Sequence, residues 1–118
     1  MSGFAPLKLA EHDDGDAVVI AAAGIVDMAA APALADQVGA ILRRRPGTLV
    51  VDFSGVTFLA TAGMSVLMEA SRKCEELSIP FRVVAHGPVT AKPMELLGID
   101  DLLDIYPTVD AALHGVAP

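Results

Sequence analysis

The sequence predicts an α/β fold: one small domain with a mixed, mostly parallel sheet and about four helices packed against it. Three observations carry this. Short continuous apolar runs alternate with longer segments of helical periodicity, the order that builds a parallel sheet covered by crossover helices. The length of 118 residues fits one domain. No repeat, low-complexity stretch or linker-like run divides the chain, so 1–118 reads as a single unit with residues 1–5 and 116–118 as loose termini.

Each element follows from local pattern. Residues 17–23 form an apolar run after the turn signal Asp13-Asp14-Gly15-Asp16, which predicts a buried strand with 7–11 as its hairpin partner. Residues 27–45 are alanine-rich and carry Leu34, Val38, Ile41 and Leu42 at helical spacing, and Pro46-Gly47 ends that helix. Residues 48–53, β-branched and flanked by turn residues, predict a second buried strand. The clearest helix spans 63–77. There Met64, Leu67, Met68, Ala70, Cys74 and Leu77 fall largely on one stripe, with Ser65, Glu69, Arg72, Lys73 and Glu76 mostly opposite. Pro80 opens a third buried strand over 81–85, and a short helix over 89–97 stops at Gly98. Residues 102–106 read as an extended edge segment, and Thr108 caps a final helix over 108–114.

Composition narrows the function classes. Hydrophobic residues make up 53% and aromatics only 4%, so the core is built from small side chains packed closely. The net charge of −7 argues against nucleic acid, whose binding rests on phosphate neutralisation, and favours a partner with a basic face. No apolar run approaches the ~20 residues of a membrane span. The first nine residues lack the basic start and apolar centre of a signal peptide. A single cysteine, Cys74, allows no internal disulfide and suits a reducing cytoplasm.

Signs of catalysis are missing. His12, His86 and His114 are scattered, with no pair at metal-ligand spacing, so no metal is expected. No glycine-rich phosphate loop follows a strand, and no cofactor is expected. The acidic sets Asp13-Asp14-Asp16 and Asp100-Asp101-Asp104 read as solvated turns, and Cys74 as a core thiol. Arg43-Arg44-Arg45 reads as charge complementing a helix C-terminus. Nothing converges into an active site.

One stretch stands apart. A buried strand ends at Asp52-Phe53, and a loop leads to an amphipathic helix that opens with Ala60-Thr61-Ala62-Gly63. Such small residues leave the first-turn amides open to an anion or a phosphorylated side chain. Thr61 suits the N-cap position equally well.

At this stretch the chain resembles the STAS-domain anti-sigma factor antagonists. Their hallmark strand, ending Val-Asp-Leu-Ser, and helix start, Phe-x-Asp-Ser-[Ser/Thr]-Gly-Leu, are matched at Val51, Asp52, Ser54, Val56, Phe58 and Gly63, with Met64 for leucine. Upstream, Gly24-Ile25-Val26-Asp27 with Ala31-Pro32 and Leu34 is similar to the family's Gly-Glu-[Leu/Ile]-Asp-x-x-x-Ala-Pro-x-Leu. Downstream, Leu96-Leu97-Gly98-Ile99 and Ala111-Ala112-Leu113 resemble its closing helix pair. Where the family carries Asp-Ser-Ser or Asp-Ser-Thr before the glycine, this chain has Ala60-Thr61-Ala62.

The resemblance implies a STAS-like fold, a non-enzymatic role and partner switching. The unmodified antagonist binds an anti-sigma factor, such as a GHKL-type kinase, and so releases a sigma factor. It places Asp27, Ala60, Thr61, Ala62, Gly63, Met64 and Glu69 on the contact surface. Thr61 is the candidate phospho-acceptor; with Ala62 as the acceptor position the antagonist would be constitutive. Asp27 serves equally as a cap of the first helix. Two other roles fit the same sequence: the STAS subunit of a membrane lipid transporter, and a small anion or nucleotide sensor. An exposed edge near the hairpin could also pair two copies weakly.

Overall fold

The computed structural model describes residues 5–115; the loose termini expected at either end lie, apart from residue 5, outside the described residues. Five strands form one sheet in the order β1-β2-β3-β4-β5. β1 (Lys8–Asp14) is the hairpin partner of β2 (Ala17–Val26) and the only antiparallel member. β3 (Thr48–Leu59), β4 (Phe81–Val84) and β5 (Asp104–Tyr106) follow in parallel. The connections carry α1 (Ala31–Leu42), α2 (Thr61–Leu77) and α3 (Ala91–Leu96), and α4 (Val109–His114) follows the last strand.

Strand alternation divides the helices between the two faces. Val18, Ile20, Leu49, Val51, Phe53, Phe81 and Val83 meet Leu34, Val38 and Ile41 of α1, and Met64, Leu67, Ala70 and Cys74 of α2. The intervening Val19, Val50 and Val84 meet Ala112 of α4 on the opposite face. Arg82 ties α4 down by donating to the Ala112 carbonyl at 2.9 Å.

The largest departures from the sequence reading lie in β3 and α1, with shifts of a few residues at other ends. β3 does not end at residue 53 but runs to Leu59, because β2 continues beside it and pairs Val26 with Leu59 across two register shifts. Ser54-Gly55 looks like a turn locally; pairing with the neighbouring strand and burial of Val56 and Leu59 override that preference. α1 begins at Ala31 and stops at Leu42, so Arg43-Arg44-Arg45 lie beyond it, with Arg45 in a left-handed conformation (φ 53°). Arg44 reaches Glu11 of β1 at 2.6 Å, which links the end of α1 to the edge strand. Thr108 does cap the last helix, accepting from the Ala111 N–H at 3.1 Å.

Cys74 is buried on the core side of α2, and desolvation pushes its thiol up from 9.0 to about 11. A thiol with a raised folded-state pKa resists ionising in the native protein. Its contribution to stability is therefore full below the unfolded value and is lost as pH rises from there towards the folded one. Native protein at pH 8 should react with a thiol-specific disulfide reagent far more slowly than denatured protein, and stability should fall between pH 9.0 and about 11. Leu67 is fully buried at the same interface, and Leu67→Ala should cost ~2–5 kcal/mol in urea unfolding.

Candidate partner-binding site

The start of α2 sits at the carboxyl end of β3, held against the last residue of β2. The Ala60 N–H donates to the Val26 carbonyl at 2.9 Å, and the Gly63 and Met64 N–H groups turn back to the Ala60 carbonyl. Ala60 is the N-cap, in extended conformation and without a side-chain cap. Thr61 therefore occupies the first helical position and not the cap, and its side chain is exposed. No acidic residue lies in the first turn, so neither a carboxylate nor a capping hydroxyl competes for this positive helix end. The Ser65 hydroxyl, one turn on, donates to the Thr61 carbonyl at 3.1 Å.

Gly63 makes the close approach possible. A Cβ there would lie 2.6 Å from Val26 Cγ1 and 2.7 Å from Leu59 Cδ1, inside the contact distance real side chains keep. The absent side chain lets α2 settle on the strand ends with Met64 turned into the core.

The loop after β2 borders this helix start. The Asp27 carboxylate accepts from the Ala30 N–H at 2.9 Å, and its carbonyl accepts from Ala31 N–H at 2.9 Å. It thus fixes the turn leading into α1 and does not cap the helix itself, whose N-cap is Ala30. That fixed turn presents Met28, which is 80% exposed. Alongside α2 runs an open groove of about 460 Å³, lined by Thr61, Met64 and Met68 and faced by Leu97 and Ile99. Glu69 and Arg72 line it too, paired with one another, and Arg72 also reaches Glu76 at 2.6 Å. The Arg72 guanidinium holds the Glu69 carboxyl below its ordinary range.

Of the residues expected here, Ala60, Thr61 and Ala62 form the accessible helix start, while Gly63 and Met64 are buried beneath it. Asp27 is half-buried in the adjoining loop, and Glu69 shares the groove with Thr61. Sequence reasoning missed Met28, Arg72 and Leu97. Arg72 was legible, since carboxylates lie three residues before and four after it on one helix face. Leu97 belongs to a groove made by residues distant in sequence, which local pattern does not show.

The five-stranded mixed sheet, with a long helix seated at the carboxyl edge of β3, can be set beside known proteins. Residues 9–104 match the family model described as "Mlab, STAS domain", and the chain belongs to the STAS-domain family. It is 36% identical to the anti-sigma-F factor antagonist RsfB of Mycobacterium tuberculosis, covering 98% of this chain and 94% of that one. The crystal structure of an anti-sigma factor antagonist from Mycobacterium paratuberculosis superposes with a TM-score of 0.89 at 36% identity, covering 96% of this chain and 97% of that chain. The antagonist SpoIIAA in its unphosphorylated form shares the fold with a TM-score of 0.75 at 18% identity, covering 93% and 95%.

The seat of α2 makes a prediction whose sign is informative. Replacing an exposed helical glycine by alanine gains up to ~1 kcal/mol. At position 63 the overpacking against Val26 and Leu59 should cost ~1–3 kcal/mol, so Gly63→Ala should lower the melting temperature. A raised melting temperature would mean that α2 does not rest on the strand ends.

Proposed function

We propose that this chain is an anti-sigma factor antagonist: it binds an anti-sigma factor through the start of α2 and the Asp27 loop, and so releases a sigma factor. The observation that carries the reading is the full-length likeness at 36% identity to proteins named for that role. The exposed, uncapped helix start, with Met28 beside it, supports this surface as the contact. On this reading the chain acts by binding rather than catalysis, has no need of a cofactor, metal, nucleic acid or bilayer, and works in the cytoplasm as one domain. Among the described residues no helix is long and apolar enough to cross a membrane.

Thr61 is the switch residue we assign. Its hydroxyl stands at the first helical position, exposed to a kinase, while Ala60 and Ala62 have none to modify. A phosphate there would add about −2 charge at a positive helix end, which favours it locally and leaves the fold intact. The cost falls on the interface, where like charge is worth several kcal/mol and each ~1.4 kcal/mol is tenfold in affinity.

A second reading, the STAS subunit of a lipid transporter, is compatible with the same STAS-domain match. Incubation with the host's GHKL-type anti-sigma kinases and ATP, read by intact mass, separates the readings. One added phosphate in wild type and none in Thr61→Ala is the expected result, with Thr61→Glu binding the kinase at least ~tenfold more weakly. A stable complex without phosphate would make the antagonist constitutive. Neither phosphate nor complex, together with co-purification of a transport ATPase, would overturn the antagonist reading.

A further inference from the structure

Among the described residues, six large apolar side chains stand exposed, and three of them fall from the last residue of α3 to the start of β5: Leu96, Leu97 and Leu102, at 74, 56 and 61% exposure. They do not belong to a frayed end. Gly98 turns the chain with φ +74°, its N–H donating to the Glu95 carbonyl at 3.0 Å. The Ile99 N–H donates to the Met94 carbonyl, and Leu102 N–H to the Ile99 carbonyl, each at 3.0 Å. Met94 and Leu103, buried, anchor the segment from below. The leucines are thus held outward by a fixed backbone.

This segment forms one wall of the groove along α2. Leu97 and Ile99 face Met64 and Met68, and the groove opens at Thr61. The segment that carries this wall is acidic. Glu95, Asp100, Asp101 and Asp104 lie in the same stretch, and from residue 93 to the end of the chain there are five carboxylates and no lysine or arginine. The one cation at the groove, Arg72, is held by Glu69 and Glu76.

We propose that the groove and its leucines dock a segment of the anti-sigma factor that is apolar on one side and rimmed with lysine or arginine. This rests on the antagonist reading and deepens it, extending the contact from the helix start across α2. Buried apolar anchors supply the affinity at such a surface, while rim charges set its salt dependence. A second copy is the poorer occupant, because a two-fold contact would set this acidic stretch against itself.

Calorimetric titration of the purified host anti-sigma factor tests the proposal, using wild type, Leu97→Ser, Leu102→Ser, Asp100→Asn/Asp101→Asn and Thr61→Glu. All the substituted positions are at least partly exposed, so these variants should melt with wild type, and two serine variants guard against loss of fold in either. Leu97→Ser should weaken binding at least ~tenfold, and the double carboxamide should flatten its dependence on salt. Both serine variants within ~twofold of wild type, while Thr61→Glu still weakens binding, would overturn the groove and leave the antagonist reading standing. No binding by wild type would overturn both. Self-association of wild type by sedimentation, abolished in Leu97→Ser, would make a second copy the occupant and overturn the proposal.

Discussion

The seating of α2 on the carboxyl ends of β2 and β3 is the constraint on which the rest depends. Val26 offers its carbonyl to Ala60 and its side chain to the space left by Gly63, while Leu59 closes the same contact from β3. β3 must run the full distance to Leu59 for this to happen, and β2 must keep pace with it through two register shifts. With the joint made, Met64, Leu67, Ala70 and Cys74 enter the core as one face of a single helix. The first turn is simultaneously lifted clear of the sheet, so Thr61 is exposed while the residue two positions on is buried. Stability and recognition share this one point of contact.

Charge and apolar surface are distributed unevenly around that joint. The helices run back against the parallel strands, so the C-terminal end of α1, with Arg43, Arg44 and Arg45, lies away from the α2 start. Arg44 is drawn into β1 by Glu11 and Asp13. The α3–β5 connection carries acid and exposed leucine together. A net charge of −7 is therefore not a uniform solubilising coat but is drawn in part to the α3–β5 connection, one wall of the groove beside the helix start.

Much of this was legible in the sequence, for reasons that differ by element. The apolar runs of β2 and β4 and the stripe of α2 are set by local periodicity, and the structure reproduces them with shifts of a few residues. The extension of β3 was not legible, because Ser54-Gly55 reads as a turn and only the neighbouring strand makes it otherwise. Thr61 was read as a candidate cap but stands one position further on: a threonine near a helix start looks like a cap, yet the extended Ala60 takes that role. Asp27 was read as a cap of the first helix or a contact; its carboxylate closes the turn before α1, whose own N-cap, Ala30, has no side-chain cap. The groove was invisible beforehand, since Thr61 and Leu97 meet only through the packing of α2 beside the segment after α3.

The central claim is that the partner engages the carboxyl edge of the sheet at the start of α2. Mapping amide resonances of the labelled chain as unlabelled anti-sigma factor is added tests it most directly. The account predicts that the largest changes fall on residues 27–30 and 60–65, with residues 43–47 unmoved. Changes confined to the arginine end, with the α2 start unaffected, would contradict it.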